Sequence, residues 1–316
     1  MQCADAGGFI PSSLVNLQIP HLLMQVKVAI DNFSNDNEND NAVLTNFAEV
    51  IRSRPQEYSA EEADILRRGR DFLSSHHDSA DYTLLNTSDP KVAVKAVHAD
   101  GSSLVAGAAV TVVDTDAANC LSYEFTKDTR AAKKAMNGKG VVEVSLERHN
   151  DHCYLYRSVR YLGVPGFSNR EWRIKMVWEK CDDGTYFAAC ENTKDLDEEF
   201  PVKAGNVVAS SQVAWLLEPL PKVGNIPQTR VSFVARVDVK GAVPNFIMNQ
   251  LTGNLTRNVS LMRKKFDKSD EIDAENRSII ISRMKAMKDY QMVDFEHRFN
   301  EIKGKVRDAA FIVELK

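Results

Sequence analysis

RVSFVARVDVKGAVPNFIMNQLTGNLTRNVSLMRKKF, residues 230 to 266, changes its hydrophobic period part-way along. Arg230 to Asp238 is rich in β-branched and aromatic residues and reads as a strand. Gly241 then breaks the chain, and Pro244 stands where a helix can begin without losing a hydrogen bond. From there Ile247, Leu251, Leu255, Val259, Met262 and Phe266 recur at steps of four and three, the stripe of a helix with one buried face. A strand that runs into a long one-sided helix predicts a sheet closed by that helix.

Working back from this point, turn residues separate a series of strand-like runs: Tyr82 to Leu85, Lys91 to His98, Ser103 to Val113, Val141 to Glu147, Cys153 to Leu162, Glu171 to Trp178, Thr185 to Glu191 and Asn206 to Leu217. Short helices are expected at Asp116 to Phe125 and Thr129 to Met136, and longer ones from Asn41 to His77, broken at Pro55 and restarted at Ser59-Ala60-Glu61. Glu171 to Trp178 alternates cleanly. Trp172, Ile174, Met176 and Trp178 are expected to face inward, with Glu171, Arg173 and Lys175 on the other side.

Asn169-Arg170-Glu171-Trp172, then Trp178, Asp183-Gly184-Thr185-Tyr186, and then Val237 to Asn249 resemble, in order and spacing, the second half of START (steroidogenic acute regulatory protein related lipid-transfer) domains. The resemblance implies an α+β helix-grip fold: a curved antiparallel sheet wrapped around a long C-terminal helix, with a tunnel for one sterol, phospholipid or related molecule and no cofactor. The expected walls are Trp172, Ile174, Met176, Trp178, Phe187 and Phe233 from the sheet, with Ile247, Met248, Leu251 and Leu255 from the helix. Pro201 to Gly205 and Pro219 to Pro227 are candidate gate loops.

In relatives, an arginine at the place of Arg170 is often paired with an acid on the preceding strand. Tyr154 to Asn169 holds no Asp or Glu, and carries Arg157 and Arg160 instead. Arg170 is therefore expected either at the surface, paired with Glu171 or solvent, or neutralised by an anionic lipid head group, because a buried unpaired guanidinium is costly.

The chain also repeats itself. Gly8 to Asn16 aligns with Gly241 to Asn249, a shift of 233 residues, and in the same register Leu22, Val26, Phe33, Glu38 and Asp40 meet Leu255, Val259, Phe266, Glu271 and Asp273. Ile65 to Asp71 is echoed again by Ile302 to Asp308. A period this long suits a whole domain. The expected division is residues 1–40 as the closing helix of a preceding START-like repeat, 41–272 as a complete domain, and 273–316 as the helical lead-in to a following repeat. Leu14, Val15, Leu22, Leu23, Val26 and Ile30 of the first helix should then pack outside the complete domain or between chains.

Composition narrows the classes. With 43% hydrophobic residues a proper core can form, and a formal charge of -4 argues against a nucleic-acid partner. Five scattered cysteines without a Cys-x-x-Cys pair exclude a zinc ribbon or disulfide framework, and His149-Asn150-Asp151-His152-Cys153 reads as a hairpin turn rather than a metal cluster. No signal peptide or membrane span is legible, so a cytoplasmic location with transient contact at membrane surfaces is expected. No acid/base constellation stands out. The leading reading is a lipid-binding or lipid-transfer module beside further repeats; the rivals are a scaffold with a filled interior and, less favoured, an enzyme on the same fold.

Overall fold

The computed structural model describes Met24 and residues 36–54, 56–77, 82–85, 89–97, 105–137, 140–163, 166–241 and 257–286. Ten strands form one curved sheet: β1 (Tyr82–Leu85), β2 (Ala93–Val97), β3 (Val105–Val113), β4 (Val141–Arg148), β5 (Cys153–Arg160), β6 (Arg170–Lys180), β7 (Tyr186–Asn192), β8 (Val207–Val208), β9 (Ser210–Val223) and β10 (Ile226–Asp238). Their order is β1-β2-β3-β10-β9-β7-β6-β5-β4, antiparallel throughout, with the short β8 added parallel to β6. Among the described residues the helical stretches that accompany them are α1 (Asp36–Ser53), α2 (Ala60–His77), α3 (Ala117–Phe125), α4 (Arg130–Asn137), α5 (257–265) and α6 (Ser269–Ala286).

The path explains the order. After β3 the chain passes through α3 and α4 to the far edge, then returns strand by strand until β10 pairs with β3 along Thr229–Val113 to Val237–Val105. Local signals fix the helix starts. Asp116 caps α3 by accepting from the Asn119 amide at 3.0 Å. Ser59 and Glu62 form a reciprocal capping box at the start of α2, with bonds of 2.8 and 3.2 Å.

Because successive strand residues point to opposite faces, the sheet presents two sets of side chains. The inner set, including Tyr154, Met176, Trp178, Leu217 and Phe233, packs with α1, α3 and Val259 and Met262 of α5. The described part of the predicted long helix, 257–265, thus packs on the inner face of the sheet. The outer set, including Val177, Phe187, Ala189 and Val234, packs under Ile65, Leu66 and Phe72 of α2. Gly69 permits this close approach, since a Cβ there would meet the Ala189 Cβ at 2.5 Å.

Two expectations need correction. Glu171, Arg173 and Lys175 do point away from the inner core, but they are buried too, under α2 and the segment 193–208. Alternation alone cannot show that both faces are covered. Pro219 to Pro227 is not a loop: β9 pairs with β10 up to Val223–Ile226, and the hairpin turns at Gly224, whose φ is 58°. Prolines fit here because β9 is bonded to β7 only as far as Leu217, which leaves the remainder as a one-sided edge.

Candidate functional site

The inner face is not uniform. Around Trp178 it is saturated: the indole lies edge-on to Phe125 at 6.4 Å, close to Tyr186, and donates to the Asp151 carbonyl at 3.1 Å. Trp178, Met176 and Phe233 are each at most 2% exposed, filled in by protein alone. Toward the β4 edge the cover thins. Leu146, Ile174, Val213 and Met136 are only partly buried, while Val144, on the same face as Leu146 by alternation, is 43% exposed. This apolar strip, with Trp172 beside it, is the candidate site.

The sequence-predicted walls therefore divide. Trp172 and Ile174 border the strip, while Met176, Trp178 and Phe233 are packed core. Phe187 is a correction: it lies on the outer face, under Gly69 and with the Arg70 guanidinium 5.0 Å from its ring centre. Its register position opposite Glu179, one residue out of phase with Trp178, decides this. Ile247, Met248, Leu251 and Leu255 lie outside the described residues, as does the first helix from Pro11 to Phe33 apart from the exposed Met24.

Arg170 also departs from expectation. It is 4% exposed, neither on the surface nor bonded to Glu171. Its guanidinium donates to the backbone carbonyls of Val239 (2.6 Å), Lys240 (3.2 Å) and Ser168. Burial alone lowers its pKa from the ordinary arginine value. Lys240 and Gly241, with φ of 56° and 78°, form the turn that leads from β10 toward the closing helix, and Arg170 holds that turn in place. Peptide carbonyls thus take the place of both partners considered from the sequence, Glu171 or solvent and an anionic head group.

Arg160 was not singled out by sequence, although it lies at the cross-strand position facing Arg170. It is partly buried, donates to the hydroxyls of Ser158 (3.3 Å) and Tyr156 (3.4 Å), and lies 5.3 Å from the Trp172 ring centre. Among the described residues, neither Arg160 nor Arg170 has a carboxylate partner. The alternation of Tyr154 and Tyr156 was the signal that could have placed Arg160 on the inner face.

At the opposite end of the sheet, Arg263 of α5 donates to Asp89 through Nε (2.8 Å) and Nη2 (3.0 Å), both side chains being nearly buried. Burial pushes the Asp89 carboxyl up, but the Arg263 bond and the Lys91 amide outweigh it and hold it below the usual range. Outside the sheet, Glu171 is fully buried and accepts from Arg157 Nε (2.7 Å), Arg173 Nη2 (2.6 Å) and Nε (3.0 Å), and Asn206 (3.0 Å). An open cleft of about 480 Å³ beside this cluster, between β4 and residues 199–203, is lined by Val144, Phe200 and Pro201 together with Glu143, Arg157 and Lys203, the Glu143 carboxylate being paired with both cations. Glu143 and Arg157 belong to the outer side of the β4–β5 ladder, opposite to Leu146 and Tyr156. Pro201 to Gly205, one of the candidate gates, is an exposed loop tied to this outer side through the Lys203–Glu143 pair.

No family model and no curated protein matches the chain. Among solved structures it is similar to human StAR-related lipid transfer protein 5 (15% identity, 66% of this chain and 99% of that one, TM-score 0.49). It is also similar to human STARD10 (18% identity, 76% and 89%, TM-score 0.48) and to a STAR-related lipid transfer protein fragment from Xanthomonas axonopodis (18% identity, 58% and 98%, TM-score 0.43). Each is a likeness of architecture.

Proposed function

We propose that the chain binds one hydrophobic lipid against the inner face of the sheet, beneath the closing helix, and carries it between membranes. The observation that supports this is the thinly covered strip of Val144, Leu146, Trp172, Ile174 and Val213, next to a core that is otherwise saturated. Each methylene hidden from water there is worth about 0.8 kcal/mol, so burial must extend along most of an acyl chain to hold it. No catalysis and no cofactor are assigned. The setting proposed is cytoplasmic with transient membrane contact; among the described residues no helix is long and apolar enough to cross a membrane.

Native mass spectrometry of the purified chain tests this. A co-purifying lipid in one-to-one stoichiometry, removed by delipidation and restored from vesicles, is the expected result. The fully packed Trp178, Met176 and Phe233 favour a second reading, a scaffold with a filled interior, and a chain that neither carries nor takes up lipid would establish it.

We further propose that the chain adjoins other copies of its own fold. α1 (Asp36–Ser53) and α6 (Ser269–Ala286) are both 18 residues long and stand 233 residues apart at either end, in register with the sequence repeat. In α1, Phe47, Ala48 and Ile51 enter the core, Phe47 stacked on Phe125 at 5.3 Å, and Asp40 accepts from the first amides of α4. Their counterparts in α6, Ile280, Ile281 and Met284, are 44%, 50% and 52% exposed. The difference in burial at equivalent positions supports this reading. Ile51→Ala is expected to destabilise the fold by about 3 kcal/mol through the cavity it leaves, while Met284→Ala, at the equivalent place, should stay within about 0.5 kcal/mol. Equal losses in thermal melts would remove the equivalence.

A further inference from the structure

Among the described residues, three buried arginines are paired with acids. Arg157 has Glu171 and Glu143, Arg173 has Glu171 and Asp197, and Arg263 has Asp89. The buried Arg170 and its partly buried neighbour Arg160 are not. They are direct cross-strand partners in the β5–β6 ladder, and both belong to the inner face: Arg160 by alternation from Tyr154 and Tyr156, Arg170 by alternation from Met176 and Trp178. Like charges placed opposite one another on one face of a sheet repel. The Arg170 donors are spent on backbone carbonyls, whereas Arg160 makes only two bonds, both long and both to neutral hydroxyls. A guanidinium has five N–H donors, so Arg160 keeps most of its fork for another acceptor.

The position matters as much as the charge. Arg160 lies over Trp172 at the edge of the apolar strip, and its neighbour Arg170 holds the turn at Val239 and Lys240 from which the chain leaves the sheet. A cation at this end and hydrocarbon along Ile174, Leu146 and Val213 suit a molecule that is charged at one end and apolar along its length. Planar guanidinium forks match phosphate and carboxylate oxygens in pairs, and an anion here relieves the repulsion between the two arginines as well.

We infer that the lipid bound in the site carries an anionic head group, a phosphate or carboxylate, held by Arg160 with Tyr156 and Ser158 beside it. The inference rests on the lipid-binding reading above and adds the class of ligand to it.

The test uses the full chain with phosphatidylcholine vesicles, either alone or containing phosphatidic acid or phosphatidylserine, and reads the lipid extracted by native mass spectrometry. The expected result is preferential extraction of the acidic lipids. Arg160→Gln should reduce that extraction by about tenfold or more, since hydrogen bonds to charged groups are among the strong ones. Its melting temperature should be unchanged, and Arg160→Lys should restore part of the preference. Equal extraction of neutral and acidic lipids, or an Arg160→Gln variant with its acidic preference intact, overturns the anionic assignment while leaving lipid binding in place. Extraction of no lipid at all overturns the lipid reading itself. If inorganic phosphate binds with a dependence on Arg160 while acidic lipids are not extracted, the anion is a free one and the head-group assignment falls.

Discussion

Glu171→Ala is expected to lower the stability of the domain by about 3–5 kcal/mol, the range for removing one partner of a buried ion pair. The carboxylate is fully buried and accepts from Arg157, Arg173 and Asn206 together, so its removal leaves donors of two nearly buried guanidinium groups facing each other. Arg157 retains Glu143 and Arg173 retains Asp197, but both of those acids are partly solvated. Glu171→Gln, which keeps an acceptor oxygen and loses the charge, should recover part of the loss. Urea denaturation is the measurement, with the midpoint shifted and the slope unchanged. A loss below about 1 kcal/mol would mean that water or side-chain rearrangement replaces the carboxylate, and that the cluster does not hold the 193–208 segment to the sheet.

The second large effect is expected at the other end of the sheet. Asp89→Asn and Arg263→Ala should each cost about 3–5 kcal/mol, for the same reason, yet the double variant should lose much less than the sum. Arg263 belongs to α5 and Asp89 to the segment between β1 and β2, so the pair ties the closing helix to the sheet. The sign of the pH dependence follows from Asp89. Its carboxyl titrates lower in the folded chain than in the unfolded one, so its contribution is complete above the ordinary carboxylate pKa and is lost as pH falls through the depressed folded value. The wild type should therefore lose more stability on acidification below about pH 4 than Asp89→Asn does. Additive losses in the double variant, or identical acid profiles, would sink the latch.

How much of this was legible beforehand depended on the kind of pattern. Strand and helix periods are local, and the runs around Glu171 to Trp178 and Arg230 to Asp238, the caps near Asp116 and Ser59, and Val259 and Met262 of the predicted helical stripe lie in the structure close to where the residues put them. What the sequence could not show was which face received cover from elsewhere. Phe187 looks like any other strand aromatic until the β6–β7 register sets it opposite Glu179 and under α2. Arg170 has no acid within reach in sequence, and nothing local indicates that carbonyls from residues 239 and 240, some seventy positions later, satisfy it. Arg160 went unread for the opposite reason: its significance lies in a missing partner. The outer cover of Arg173 and Lys175 likewise comes from Asp195, Asp197 and Glu61, distant in the chain.

The prolines of the long β9–β10 hairpin have a bearing on solubility. Past Leu217 the ladder is bonded on one side only, and an open edge of that kind is a template on which a second molecule can add its own strand. Pro219 and Pro221 offer no amide hydrogen to an incoming chain, so growth by strand addition is interrupted along this stretch of edge. Copies of such a domain can then be held at high local concentration without zipping into fibrils.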